Sequence, residues 1–96
     1  MAKEIDPIER KINMMAAASE ALTYKKKNPR SDNDRVLQYI SRNIVIGKDE
    51  VTKMGMIAAA TDALTIAEKK PSFSEKEVLK NVMENIPSML NNIIDY

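Results

Sequence analysis

The chain has 96 residues, 44% of them apolar and 30% charged with a net charge of +1, a composition suited to one small globular domain and not to disorder. It contains no Cys and no His, which excludes disulfides, thiolate nucleophiles and zinc–sulfur sites, and removes the commonest general base and metal ligand. No apolar run approaches the roughly 20 residues that span a bilayer, and the first residues, Met1 to Asp6, lack the apolar stretch of a signal peptide, so a cytoplasmic protein is expected.

A first helix is signalled by Asp6-Pro7-Ile8-Glu9, which supplies an N-cap, a proline at the first helical position and an acid in the first turn. Apolar or small residues recur at Ile5, Ile8, Ile12, Met15, Ser19 and Leu22, the spacing of a packed helical seam. The helix should stop near Lys27, because Asn28 precedes Pro29 and is steered away from the helical region. Ser31 or Asp32 can cap a second helix with the stripe Val36, Leu37, Ile40 and Ile44, and Gly47 can terminate it.

A third helix is expected to start near Asp49, with its seam at Met54, Ile57, Thr61 and Leu64, and to end near Lys70 before Pro71. Ser74 and Glu77 have the spacing of a capping box at the start of a fourth helix. That helix carries Val78, Leu79, Val82, Ile86, Met89, Leu90 and Ile93. The stripe stays in phase across Pro87, which predicts one kinked helix and not two. No segment alternates with a period of two, so no sheet is expected.

The two halves repeat. Met15-Ala16-Ala17-Ala18-Ser19-Glu20-Ala21-Leu22-Thr23 is echoed by Ile57-Ala58-Ala59-Ala60-Thr61-Asp62-Ala63-Leu64-Thr65, an offset of 42 residues. Held without gaps, this register pairs 11–44 with 53–86 and gives 14 identities in 34 pairs, against about two or three expected by chance. A period near 40 residues is typical of a two-helix unit that cannot bury its apolar face alone. The expected fold is therefore all-α, one domain over 1–96, with two tandem-duplicated antiparallel hairpins at about 6–47 and 48–96 arranged like a four-helix bundle. Charge divides unevenly: 1–48 carry ten basic and six acidic residues, net +4, whereas 49–96 carry five and eight, net −3.

Few residues offer chemistry. Ser19 and Thr61 lie on the seam without a base to activate them, so each hydroxyl is expected to bond a carbonyl one turn back. Glu20 and Asp62, equivalent in the repeat, are placed at the rim of the apolar face and not in a metal site. Lys25, Lys26, Lys27, Arg30 and Arg35, with Tyr24 at the edge, form the strongest surface signal, a candidate phosphate or nucleic-acid contact. The same residues also suit a helix C-terminus, whose dipole favours cations. Met14, Met15, Met54 and Met56 read as core packing and not as an adaptable binding groove. The third helix is apolar nearly all round, which suggests cover from a second chain. Tyr24, Met56, Ala59, Ala63 and Ile66 are the candidate oligomer interface. The reading is a non-enzymatic interaction or scaffold protein, a homodimer with no catalytic, cofactor or metal residues and no membrane contact. Its alternative is a nucleic-acid or phosphate-binding accessory protein.

Overall fold

The computed structural model describes residues 6–94. Within them lie four helices, α1 (Pro7–Lys27), α2 (Asn33–Asn43), α3 (Glu50–Lys69) and α4 (Glu75–Ile94), and no strand. Ile5, the first position of the expected seam, lies outside the described residues. Each helix starts where a short polar side chain takes up a free backbone amide. Asp6 accepts from the Ile8 amide at 2.9 Å, Asp32 from Arg35 at 2.9 Å and Asp49 from Thr52 at 3.2 Å. At α4 the Glu77 amide donates to Ser74 Oγ while the Ser74 amide donates to Glu77 Oε1, both at 3.2 Å, a reciprocal capping box.

The α1–α2 and α3–α4 turns share one geometry. Asn28 and Lys70, each before a proline, sit at φ −132°, ψ 65° and φ −126°, ψ 67°. Their amides donate to the Tyr24 and Ile66 carbonyls at 2.9 and 2.8 Å. The next turn is closed by Ser31 to Asn28 at 3.0 Å and Phe73 to Lys70 at 2.9 Å. α2 ends at Asn43, earlier than Gly47, and the glycine serves the connection to α3 with a φ of +82°, a value open to residues without a Cβ. Pro87 lies within α4 without ending it. The carbonyl it leaves unpaired belongs to Met83, and both residues are exposed, so water can satisfy it.

The core is built on the small residues. Met14, Ala17, Ala18 and Ala21 of α1 are fully buried, as are Met56, Ala59, Ala60 and Ala63 of α3, with Leu64 close to it. The expected seams were displaced from this face. Ile8 and Ile12 are 68% and 62% exposed and Met54 is 46% exposed, while Met15, Ser19, Leu22 and Ile57 are half-buried and Thr61 is exposed. The reason is steric: alanine on both helices lets the axes approach closely, and larger side chains in that place would hold them apart. On α2 and α4 the expected stripes hold, with Val36, Ile40, Val78, Val82 and Ile86 buried.

α1 and α3 form the most extensive helix pair, and they run parallel. At their N-terminal ends Arg10 Nε donates to Thr52 Oγ1 at 3.0 Å and Arg10 Nη2 to Asp49 Oδ2 at 3.4 Å. One turn further Met14 meets the face of Gly55, where an added Cβ would stand 2.9 Å from the Met14 sulfur. At the other end Leu22 and Leu64 line one cleft. α2 and α4 each contact both α1 and α3 but not one another. They therefore occupy opposite sides of the central pair. All three other helices contact α3, so the chain itself covers most of the many-sided apolar surface that was expected to need a second chain and leaves Met54 exposed.

This phase predicts an order of mutational costs. Leu64→Ala should destabilise by about 2–5 kcal/mol by emptying a buried site, and Ala60→Leu by about 1–3 kcal/mol by overpacking the α1–α3 contact. Ile12→Ala should change stability by less than about 0.5 kcal/mol. Urea melts with Ile12→Ala costing more than Leu64→Ala would place the helix faces elsewhere.

The N-terminal cluster predicts a pH dependence. The Thr52 side-chain and backbone hydrogen bonds, with Arg10 nearby, hold the Asp49 carboxyl below its ordinary value. The folded state thus favours the carboxylate. Its contribution is present above the ordinary carboxylate range and is lost as pH falls through the lowered folded value. Asn is as good an N-cap as Asp, so Asp49→Asn isolates the charge. The variant should be less stable than the parent at neutral pH, and the difference should vanish in acid once Asp49 is protonated. Parallel denaturation curves at pH 7 and pH 2 check this, and a deficit unchanged by pH would contradict it.

Candidate interaction surface

The basic residues gather around the α1–α2 turn without forming a uniform positive field. Lys25, Lys26 and Lys27 close α1, where cations complement the helix dipole. Lys25 is half-buried, and its Nζ donates to the Ser31 carbonyl across the turn. Lys26, Lys27, Arg30 and Arg35 are exposed. A depression of about 480 Å³ here is lined by Lys25 and Arg30, but also by Asp32, Asp34 and Glu68. Tyr24 stacks on Tyr39 with ring centroids 4.5 Å apart, so one of its faces is already taken within the chain.

Of the paired polar residues, Thr61 and Asp62 make hydrogen bonds within the fold. Thr61 Oγ1 donates to the Ile57 carbonyl one turn back at 2.8 Å, as expected of a helical hydroxyl. Glu20 and Asp62 are half-buried at the rim, and Asp62 Oδ2 accepts from Asn85 of α4 at 2.9 Å. Among the described residues no three acidic side chains come together as a metal site.

The residues first considered for an oligomer interface divide into two groups. Met56, Ala59 and Ala63 are 1%, 0% and 0% exposed, inside the chain's own core. They have no surface to give a partner. Tyr24 and Ile66 are half-buried and packed against that core.

Apart from Ile46, 69% exposed in the connection between α2 and α3, exposed apolar surface lies along two grooves that flank the central pair. One, of about 650 Å³, runs between α2 and α3, with a contribution from the end of α4. It is lined by Val45, Met54, Ile57, Ala58 and Ile93, with Ser41 and Lys53 as its polar members. The other, of about 700 Å³, runs between α1 and α4. Met15, Leu79 and Met83 form its apolar lining and Glu75, Lys76 and Lys80 its charged edge. Met83 is 45% exposed. Ile8 and Ile12 precede Met15 by two turns and one on the same face of α1, so they extend this surface along the helix.

The grooves overlap in part under the 42-residue register, which carries Met15 to Ile57 and Ser41 to Met83. They follow from the alanine seam. Once small residues fill the central contact, the isoleucines and methionines one position away must face outward. A reading that ranks positions by size assigns those residues to the core and misses both grooves. The signal that would have found them is the pair of alanine blocks at equal spacing in both halves. No protein-family model, curated protein sequence or solved structure matches this chain.

Proposed function

We propose that this chain is a non-catalytic helical interaction module of the cytoplasm, made by duplication of one helical hairpin and acting as a homodimer. The observation that carries the reading is the pair of apolar grooves on opposite sides of the α1–α3 pair. Concave, mainly apolar surfaces between helices suit protein partners, above all helices laid into a groove. Surfaces of this kind on a small domain commonly mark such sites.

Duplication is supported by more than the 14 identities in the 42-residue register. Val36 and Val78, Ala17 and Ala59, Ala18 and Ala60, and Met14 and Met56 are paired by the register and buried alike. Arg10 and Thr52, themselves paired by it, touch one another. Such a contact is expected where two related parallel helices face each other across an approximate two-fold axis.

The α2–α3 groove is the better self-association surface, because Lys53 is its single charged lining residue. A two-fold contact brings the same patch of both chains together, so this surface meets itself with only the two Lys53 side chains to keep apart. Met54, 46% exposed at the groove, would then be central. Sedimentation equilibrium at micromolar concentration should give twice the 10.8 kDa chain mass, and Met54→Glu should return it to monomer by burying an unpaired charge. A parent chain that sediments as a monomer would end the dimer, and a dimer indifferent to Met54→Glu would move it off this groove.

A further inference from the structure

The α1–α4 groove is edged by three charged side chains where the α2–α3 groove has one, and its lysines run against what the fold needs. Lys76 and Lys80 lie one turn apart on α4, both exposed and both on the edge of the α1–α4 groove. Their equivalents in α2 are Asp34 and Gln38, so the architecture forms without a lysine at either place. Lys76 is also the second residue of its helix, where the dipole disfavours a cation and favours an acid such as Asp34. Like charges spaced i, i+4 repel one another along the helix. Glu77 and Glu84 stand one turn to either side of Lys80 and offset part of this repulsion, but among the described residues neither lysine has an ion pair within 4 Å. Lys76 thus sits at a cost to the free chain, on a groove edge that holds two lysines and one acid, Glu75, the first residue of α4, where the dipole favours an acid.

We infer that the α1–α4 groove binds an amphipathic helix whose apolar face is flanked by acidic residues. This inference rests on the interaction-module reading and specifies the partner of one groove. The apolar side chains of the partner would lie on Met15, Leu79 and Met83, with methionine adapting to their shape. Its carboxylates would pair with Lys76 and Lys80 and relieve their mutual repulsion. A second copy of the chain fits this groove less well, because a two-fold contact brings two Lys76–Lys80 pairs against only two Glu75 side chains, a net positive surface. A flat anionic membrane could meet the exposed Ile8, Ile12 and Met83, but Met15 and Leu79 of the groove are half-buried and suit an inserted helix better.

The test uses the full chain and two synthetic helical peptides of about 18 residues, five turns. Both carry the same leucine stripe, one flanked by Glu and the other by Lys. Fluorescence anisotropy at about 10 mM salt should show the Glu-flanked peptide binding about tenfold more tightly, a preference that shrinks at physiological salt. Lys76→Glu with Lys80→Glu should reverse it, and these exposed changes also relieve the dipole conflict at Lys76. Met83→Glu should weaken both peptides by about tenfold or more. Equal binding of the two peptides, or a preference untouched by the lysine swap, would overturn the charge assignment while leaving the module reading in place. So would tighter binding to phosphatidylserine vesicles than to the peptide, lost in the same swap. Self-association broken by Met83→Glu would show that a second copy fills the groove and would overturn the inference. Neither peptide binding nor self-association in any arm would remove the module reading as well.

Discussion

Everything in this molecule depends on the contact between the alanines of α1 and α3. Ala17, Ala18 and Ala21 of α1 and Ala59, Ala60 and Ala63 of α3 are fully buried in one core cluster, and their two helices contact one another. No large side chain separates the two backbones there, so these parallel helices form the most extensive pair in the fold. Met14 and Gly55 continue the same logic at one end, where a long side chain occupies the space that a missing Cβ leaves. Arg10, Thr52 and Asp49 then tie the N-terminal ends together with hydrogen bonds. α2 and α4 pack onto that pair.

A tight central contact has a geometric consequence. Two closely placed helices leave a recess along each side, and α2 and α4 fill these without meeting. A chain of 96 residues cannot cover both flanks completely. The apolar residues just off the alanine face are therefore left along the seams with α2 and α4, where Ile57, Met54, Met15 and Met83 line grooves. The exposed apolar surface is thus a by-product of the architecture that this sequence has kept apolar. Lys76 and Lys80 are not a by-product, because the equivalent places in α2 hold Asp34 and Gln38.

The sequence shows the element boundaries well, because they depend on local chemistry. Asp6-Pro7, Asn28-Pro29, Lys70-Pro71 and Ser74 with Glu77 act on adjacent backbone groups, and the structure keeps each where it was expected. The continuity of α4 through Pro87 was likewise legible from the unbroken stripe of Val82, Ile86 and Met89. The facing of α1 and α3 was not legible by the same means. Both the isoleucine–methionine stripe and the alanine stripe have helical spacing, and which one turns inward is a tertiary matter of how closely two helices can approach. That choice exchanged core for surface: Met56, Ala59 and Ala63 went inside, and Ile8, Ile12 and Met54 came out. The basic cluster was visible as composition. Its acidic neighbour Glu68 and the engagement of Tyr24 by Tyr39 depend on folding and were not.

The alanine-seam account is tested most directly by methionine oxidation of the folded chain. Met14 and Met56 are 0% and 1% exposed, whereas Met54 and Met83 are 46% and 45% exposed. Sulfoxide formation follows access to the thioether. Dilute hydrogen peroxide followed by peptide mass spectrometry should modify Met54 and Met83 first, with Met14 and Met56 reacting only as fast as the chain unfolds. Protection of Met54 together with rapid oxidation of Met56 would contradict the account, because it would place the large side chains in the central contact and the alanines outside.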